Sequence, residues 1–129
     1  MRLLLDTHTF LWALTQNNGL SADAQNVLLD AENDLYLSSI SCYEIAYKFC
    51  IGKLPGYDIV AENPVLYAMK LGTQPLGFTA KHAVVAGSLE WPHRDPFDRM
   101  LAAQAIVEKL VLVTADKEFA VAPGVEIIW

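Results

Sequence analysis

The chain has 129 residues, a net charge of -6, and 53% hydrophobic against 19% charged residues. This length suits one domain that buries its own core without disulfides or structural metals. The acidic charge argues against a protein that holds nucleic acid on a broad basic surface. It leaves room for an acidic site that works through metal ions, because bound divalent cations reverse the local field. The high apolar share fits either a well-filled α/β core or a surface covered by a partner.

Apolar strands and helical segments alternate along the chain. Leu3, Leu4 and Leu5 form an unbroken apolar run that is typical of a strand covered on both faces, and LVLVT is a second such run. The predicted strands are 2–6, 34–40, 74–78, 110–114 and 125–129. The predicted helices are 8–16, stopped by NNG at 17–19; 21–32, capped by Ser21; 42–52; 58–71, restarted or kinked at Asn63-Pro64; 80–90, after a Thr79 cap; and 96–109. The alternation predicts an α/β fold with a central parallel sheet flanked by helices on both faces.

The cysteines and the apolar segments bear on the cellular location. Cys42 and Cys50 fall in one predicted helix at a separation of about 12 Å, which is too far for a disulfide. We therefore expect two reduced thiols, buried as small apolar groups. Asp6 interrupts the first apolar run, which argues against a signal peptide. No stretch approaches the roughly 18 apolar residues of a membrane span, so a reducing cytoplasm is the expected location.

Two carboxylates follow buried strands. Asp6 comes directly after the first apolar run, and Asp116 comes just after LVLVT. The LLD of 28–30 repeats the letters of 4–6 in helical surroundings, where Asp30 is most simply a solvated helix residue. Because parallel strands end at the same edge of a sheet, Asp6 and Asp116 are expected to share a crevice there. A strand-end Asp that only caps the following helix is the alternative.

Two further acids lie near the beginnings of predicted helices. SCYE at 41–44 has capping-box spacing, and DPFD at 95–98 offers an Asp cap, a Pro in the first position and an acid in the third. Capping explains each of these segments when it is taken alone. If all four acids converge, each pair about 5 Å apart repels by roughly 3 kcal/mol at an effective dielectric near 20. Either raised pKa values or a hard cation such as Mg²⁺ or Mn²⁺ must then accompany them.

Four segments, in this order and spacing, resemble those of PIN-domain nucleases, and most closely the VapC-like toxins of type II toxin–antitoxin systems. They are LLLDTHTFLWAL, SSISCYEIAYKFCIGKL, HRDPFDRMLAAQA and LVTADKEF. The resemblance covers residues 1–129 as a single PIN-like domain. It implies a metal-dependent endoribonuclease that uses Mg²⁺ or Mn²⁺, is held inactive by a cognate antitoxin protein and often forms homodimers or higher oligomers. Its catalytic and metal-binding acids correspond to Asp6, Glu44, Asp98 and Asp116.

The resemblance also implies supporting roles for other residues. Thr7 and Thr114 match small hydroxyl positions that orient carboxylates or water, and Asp95 is interpreted as a helix cap or an outer ligand. Tyr43 stands where this branch often has Trp. Arg99, which follows Asp98, is either a solvated arginine or a residue that positions phosphate.

Smaller signals have ordinary structural explanations. Lys48 lies one turn after Glu44 and is interpreted as its i,i+4 ion-pair partner. The three histidines lack the spacing of metal ligands, and His93 is read as a surface-loop residue, with a proton shuttle as the alternative. Leu66 and Met69 lie on one helix face that either packs in the core or meets a partner.

Two other functions remain open at this point. A phosphatase that forms an aspartyl-phosphate on a strand-end Asp needs a second acid two residues later, and Asp6-Thr7-His8 lacks it. A non-catalytic α/β binding module would use its apolar surface instead. The acids at all four positions count against this second alternative.

Overall fold

The computed structural model describes residues 1–15 and 19–129. Its strands are β1 (Arg2–Leu5), β2 (Asp34–Ser38), β3 (Gln74–Leu76), β4 (Val111–Val113) and β5 (Ile127–Ile128). Its α-helices are α1 (Thr7–Thr15), α2 (Ala22–Leu29), α3 (Ser39–Cys50), α4 (Asp58–Glu62), α5 (Pro64–Leu71), α6 (Ala80–Ser88) and α7 (Pro96–Glu108). A 3₁₀ helix at Lys117–Val121 follows β4.

The five strands form one parallel sheet in the order β3-β2-β1-β4-β5. The chain starts at the central strand, moves outward through β2 to β3, and then crosses to β4 on the other side of β1. The strand order therefore reverses between β1 and β4. In open α/β sheets such a reversal opens a crevice at the carboxyl ends of the two strands, and this is where ligands bind.

Helices cover both faces of the sheet, as the unbroken apolar run of β1 predicts. Leu3 and Leu5 pack in one buried cluster with side chains of α1 to α5, among them Phe10 and Ile45. Leu4 points the other way, into a second cluster with α7 and the 3₁₀ helix. All three leucines are fully buried. The predicted α/β fold with a parallel sheet between two helical layers is confirmed.

The beginning of α3 differs from its prediction. Strand β2 ends at Ser38 and not at residue 40, and α3 begins at Ser39 and not at residue 42. The Ser38 hydroxyl caps the helix by accepting a hydrogen bond from the Ile40 backbone N–H at 3.0 Å. Ser41 therefore lies inside the helix, and the capping-box interpretation of 41–44 is wrong. Glu44 consequently stands in the second turn, with its backbone N–H already bonded within the helix.

The other boundaries agree with the predictions to within a few residues. Asn63 caps α5 and Pro64 takes its first position, so the predicted restart at this pair is confirmed. The 3₁₀ helix was not predicted, because five residues are too few to show a helical period. The predicted helix end at residue 16 and the first two residues of the NNG stop lie outside the described residues.

The two cysteines are free and lie on α3, but only Cys42 is half-buried. Cys50 is exposed, so the expectation of two buried thiols is wrong for it, because it occupies the solvent side of the last turn. Within 1–15 and 19–129, no helix has the length and apolar character that crossing a membrane requires.

Candidate active site

Asp6 and Asp116 meet at the reversal between β1 and β4. Asp6 caps α1, since its Oδ1 accepts a hydrogen bond from the Thr9 backbone N–H at 2.7 Å. Its Oδ2 accepts from the Thr114 hydroxyl, and Thr114 Oγ1 accepts in turn from the Asp116 backbone N–H at 3.0 Å. Asp116 caps the 3₁₀ helix by accepting from the Glu118 N–H at 2.9 Å. Each acid is thus a helix cap, and Thr114 connects the two.

Glu44 reaches the same place from α3. This carboxylate is buried, with 8% of the residue exposed. Its Oε1 accepts a hydrogen bond from the Thr7 hydroxyl at 2.6 Å, and Thr7 Oγ1 also lies 3.0 Å from the Ser41 hydroxyl oxygen. Its Oε2 lies 2.6 Å from Lys48 Nζ, the i,i+4 ion pair that the spacing predicts. Both carboxylate oxygens therefore have protein partners, and Thr7 and Lys48 fix the orientation of the side chain.

Asp98 comes from the first turn of α7, next to the cap of that helix. Asp95 Oδ1 accepts a hydrogen bond from the Phe97 N–H at 2.9 Å, which makes Asp95 the N-cap. Asp98 Oδ2 lies 2.6 Å from His93 Nε2 in the loop before the helix. His93 also contacts the indole of Trp91, with the ring centroids 4.7 Å apart. A loop histidine thus holds the fourth acid.

These groups line one cleft of about 190 Å³. Its lining consists mostly of polar side chains from β1, α3, α7 and the segment after β4. The lining residues are Asp6, Thr7, His8, Glu44, Lys48, Asp95, Asp98, Leu101, Asp116 and Phe119. The structure therefore brings together all four predicted acids with Thr7 and Asp95. Thr114 is not among the lining residues, but its hydroxyl donates a hydrogen bond to Asp6.

The charges in the cleft perturb the acid–histidine pair. Burial raises the pKa of Asp98 from 3.8 to about 6, and the negative charges of Asp95 and Asp116 add to the rise, while the His93 hydrogen bond opposes it. The pKa of His93 is also raised, chiefly by its hydrogen bond to Asp98 and further by the nearby acids. Near pH 6 the Asp98 carboxyl is therefore half protonated, chiefly because it is buried and to a smaller extent because other acids lie near it.

Replacing Asp98 by asparagine is expected to stabilise the protein at pH 8 in EDTA. Because the folded-state pKa lies above the unfolded value, the contribution of Asp98 to stability is fully present below about pH 4 and is lost as the pH rises through about 6. The shift sets an upper limit of about 3 kcal/mol. We expect about 1 kcal/mol, since the side chain is 23% exposed and water screens it. Urea unfolding of both proteins at pH 8 and pH 4 measures the difference, which should vanish at pH 4.

A matched control for this change is Asp95→Asn. Asparagine caps a helix about as well as aspartate, so this variant removes a like charge and keeps the cap. Its unfolding free energy at pH 8 should rise less than that of Asp98→Asn. An unchanged or lower stability of Asp98→Asn at pH 8 would contradict a raised pKa at this position.

The donor chemistry of the cleft fits a hard divalent cation. In the described residues, no three His, Cys, Asp or Glu side chains are arranged as ligands around one point. The oxygens of Asp6, Glu44 and Asp98 are bonded to Thr, Lys and His side chains instead. The four carboxylates nevertheless form an all-oxygen set in one cleft, the set that Mg²⁺ and Mn²⁺ prefer. The metal site itself stays a prediction.

Arg99 holds the loop that carries His93. Its guanidinium donates four hydrogen bonds, at 2.6 to 3.0 Å, to backbone carbonyls before α7. The acceptors are the carbonyl oxygens of Ala86, Leu89, Trp91 and His93. Because guanidinium has five N–H groups, one remains for any other partner. Arg99 is thus neither a solvated arginine nor a free phosphate ligand in this structure.

Two residues that support the acids carry little signal in the sequence: His93, which bonds Asp98, and Ser41, which lies next to Thr7. The five-residue step from His93 to Asp98 crosses a loop and a cap, so no helical period reveals it. Ser41 could have been found, since it precedes Glu44 by three residues on the same helix face.

The chain is an α/β protein with an acidic cleft at the reversal of its parallel sheet. The PIN domain family model matches residues 3–125. This match spans nearly all of the chain, which therefore belongs to the PIN domain family. No curated protein sequence matches the chain.

Solved structures with the same fold include toxin–antitoxin proteins. VapBC2 from Rickettsia felis bound to a DNA fragment from their promoter has a TM-score of 0.74 and 22% identity, and covers 100% of this chain and 99% of that chain. DNA-bound VapBC from Salmonella typhimurium has a TM-score of 0.70 and 22% identity, with 99% and 97% covered. VapBC-5 from Mycobacterium tuberculosis, of the VapBC family of toxin-antitoxin systems, has a TM-score of 0.63 and 18% identity, with 98% and 97% covered. At identities of 18% to 22%, these similarities establish a shared fold and nothing further.

Proposed function

We propose that this chain is a metal-dependent endoribonuclease, the toxin of a toxin–antitoxin pair, with residues 1–129 as its nuclease domain. One observation carries the proposal: in a PIN-family chain, four carboxylates from four separate segments line one cleft at the reversal of the sheet. A set of unrelated helix caps would have no reason to face each other, because their mutual repulsion disfavours folding.

The residues that would hold Mg²⁺ or Mn²⁺ are Asp6, Glu44, Asp98 and Asp116. When bound, such a cation supplies an activated water and neutralises charge on the RNA phosphate. Thr114 and Thr7 hold Asp6 and Glu44 in fixed orientations through hydroxyl hydrogen bonds. Ligands that are already oriented need little reorganisation when they bind, which is the usual gain from such surrounding hydrogen bonds.

Two other groups serve the same cleft. Lys48 places an ammonium group against Glu44, where it balances part of the negative charge and stands within reach of an entering phosphate.

His93 Nε2 and Asp98 Oδ2 share a short hydrogen bond through which a proton can pass between the two atoms. A proton held there near neutral pH suits the protonation of a leaving oxygen.

The partner assignments follow from the family and from the exposed surface. Leu66 and Met69 on α5 are 41% and 69% exposed, so this apolar stripe does not belong to the core. We propose that this exposed stripe contacts a cognate antitoxin or a second copy of the chain. We further propose that the protein acts in the cytoplasm, where Cys42 and Cys50 stay reduced.

The test is cleavage of a mixed RNA pool by purified, antitoxin-free protein in Mn²⁺, in Mg²⁺ and in EDTA, beside the melting temperature in each solution. We expect fragments with either metal and none in EDTA, and a higher melting temperature with metal because the cation binds the native state. Cleavage that persists in EDTA would contradict the metal site. If metal neither shifts the melting temperature nor permits cleavage, the four acids have structural roles only and the chain is a binding module.

A further inference from the structure

Lys48 places an ammonium group in the wall of the acidic cleft. Its Nζ lies 2.6 Å from Glu44 Oε2, and its side chain is 31% exposed. Five carboxylates line the cleft, and Lys48 is the only lysine or arginine among the lining residues that the structure describes. One permanent positive charge therefore stands against five acids, and it contacts one of the four that would hold a metal ion.

The two oxygens of the Glu44 carboxylate have different partners. Oε1 accepts a hydrogen bond from the Thr7 hydroxyl, which is uncharged and does not repel a cation. Oε2 has the Lys48 ammonium instead. A Mg²⁺ ion binds a carboxylate oxygen at about 2.0 to 2.1 Å, so a divalent cation on Oε2 would share this oxygen with a second positive charge. Like charges repel strongly at such separations, and the ammonium group must move away for the cation to bind.

An ordinary surface ion pair explains only part of this arrangement. Such pairs join exposed side chains and stabilise a helix only slightly. Glu44 is buried, and its carboxylate shares the cleft with four other acids. A buried carboxylate that lacks a counter-charge is unfavourable in the folded protein. Lys48 supplies that counter-charge, and its flexible four-carbon side chain can leave Glu44 without any movement of α3.

We propose that Lys48 is a built-in competitor of the divalent cation: it neutralises Glu44 in the metal-free protein and leaves Glu44 when the cation binds. This inference rests on the proposed function, and it adds a means of regulating the same site. Lys48 thus stabilises the cleft without metal and lowers the affinity of the cleft for metal. The ammonium group that is released stays attached to α3 beside the cleft.

Mn²⁺ binding by the Lys48→Met variant tests the inference. The EPR signal of free Mn²⁺ gives the affinity at pH 8, above the raised pKa of Asp98. We expect Lys48→Met to bind Mn²⁺ about 5 to 50 times more tightly than the wild type, because a repelling charge is gone. In EDTA its melting temperature should be lower by about 2 to 5 °C, since Glu44 loses its counter-charge. In saturating Mn²⁺ the tighter binding should offset this loss.

Two variants serve as matched controls. Lys48→Arg keeps the positive charge beside Glu44, so it should bind Mn²⁺ no more tightly than the wild type does. Lys53 follows α3, is exposed and does not line the cleft. Lys53→Met therefore changes the net charge by the same amount as Lys48→Met, and it should leave the Mn²⁺ affinity within about twofold of the wild type.

Equal or weaker Mn²⁺ binding by Lys48→Met would overturn the inference. A fall in its melting temperature that is equally large in EDTA and in Mn²⁺ would overturn it too, because that result marks an ion pair with a structural role only. If the wild type and Lys48→Met bind Mn²⁺ equally, only the inference has failed. If neither protein binds Mn²⁺, the metal site of the proposed function has failed as well.

Discussion

Asp6→Asn is expected to abolish RNA cleavage while leaving the fold intact. Asp6 is the only acid at the end of the central strand, and both its oxygens are already oriented by Thr9 and Thr114. Removing its charge weakens the proposed cation site, whose electrostatic effect on the reaction is worth several kcal/mol. Since each 1.36 kcal/mol is a factor of ten, we expect the rate to fall at least about a thousandfold. Single-turnover cleavage with Mn²⁺ measures the loss.

The control for this change is Asp30→Asn, at the other LLD of the chain. Asp30 is exposed and follows α2, where its carboxylate accepts a hydrogen bond from the Glu32 N–H. This variant should cut RNA at the wild-type rate. Asparagine keeps the cap of α1 at position 6, so the melting temperature of Asp6→Asn in EDTA should not fall by more than a few degrees. Full activity of a folded Asp6→Asn protein would refute the proposed cleft.

Arg99→Ala is expected to lower the free energy of unfolding more than the substitutions of Asp6, Asp95 and Asp98 by asparagine. Its side chain donates to one carbonyl of α6 and to three carbonyls of the loop before α7, and the loss leaves those acceptors without their charged donor. Hydrogen bonds to a charged group contribute more than neutral ones, and we expect a loss of about 3 kcal/mol in the free energy of unfolding. Urea denaturation at pH 7 provides the measurement.

The neighbouring Arg94 gives the comparison for Arg99. Arg94 is exposed, and its replacement by alanine should change the free energy of unfolding by less than about 0.5 kcal/mol. Arg99→Lys should recover little of the loss, because one ammonium group cannot reach carbonyls that lie in several directions. An Arg99→Ala protein as stable as Arg94→Ala would show that the loop holds its shape without the guanidinium.

The sheet and the convergence of the acids could be predicted because their signals are local or topological. Leu3 to Leu5 and Val111 to Val113 stand in short apolar runs that are typical of a strand covered on both faces. Parallel strands share one carboxyl edge, so Asp6 and Asp116 had to lie near each other once the strands were identified. Glu44 followed from the resemblance and not from its supposed capping box, since the cap of α3 is Ser38.

The features of the site that could not be predicted depend on contacts that leave no pattern in the sequence. Arg99 binds backbone carbonyls, which every residue has, so the acceptors carry no mark in the sequence. The choice between Ser38 and Ser41 as the cap of α3 depends on where β2 stops pairing, which is at the Ser38–Leu76 pair with β3. Neither of these is a property of a short segment.

The Thr114 hydroxyl that orients Asp6 lies 108 positions further along the chain. A ribosome must therefore complete both β1, the first strand to be made, and β4, the fourth, before this hydrogen bond can form. A nascent chain that stops within α7 already contains Asp6, Glu44 and Asp98. In that chain β1 still lacks β4 beside it, and the Asp6 carboxylate lacks the Thr114 hydroxyl that orients it. The hydrogen bond from Thr114 to Asp6 can therefore form only after β4, the fourth of the five strands, has left the ribosome.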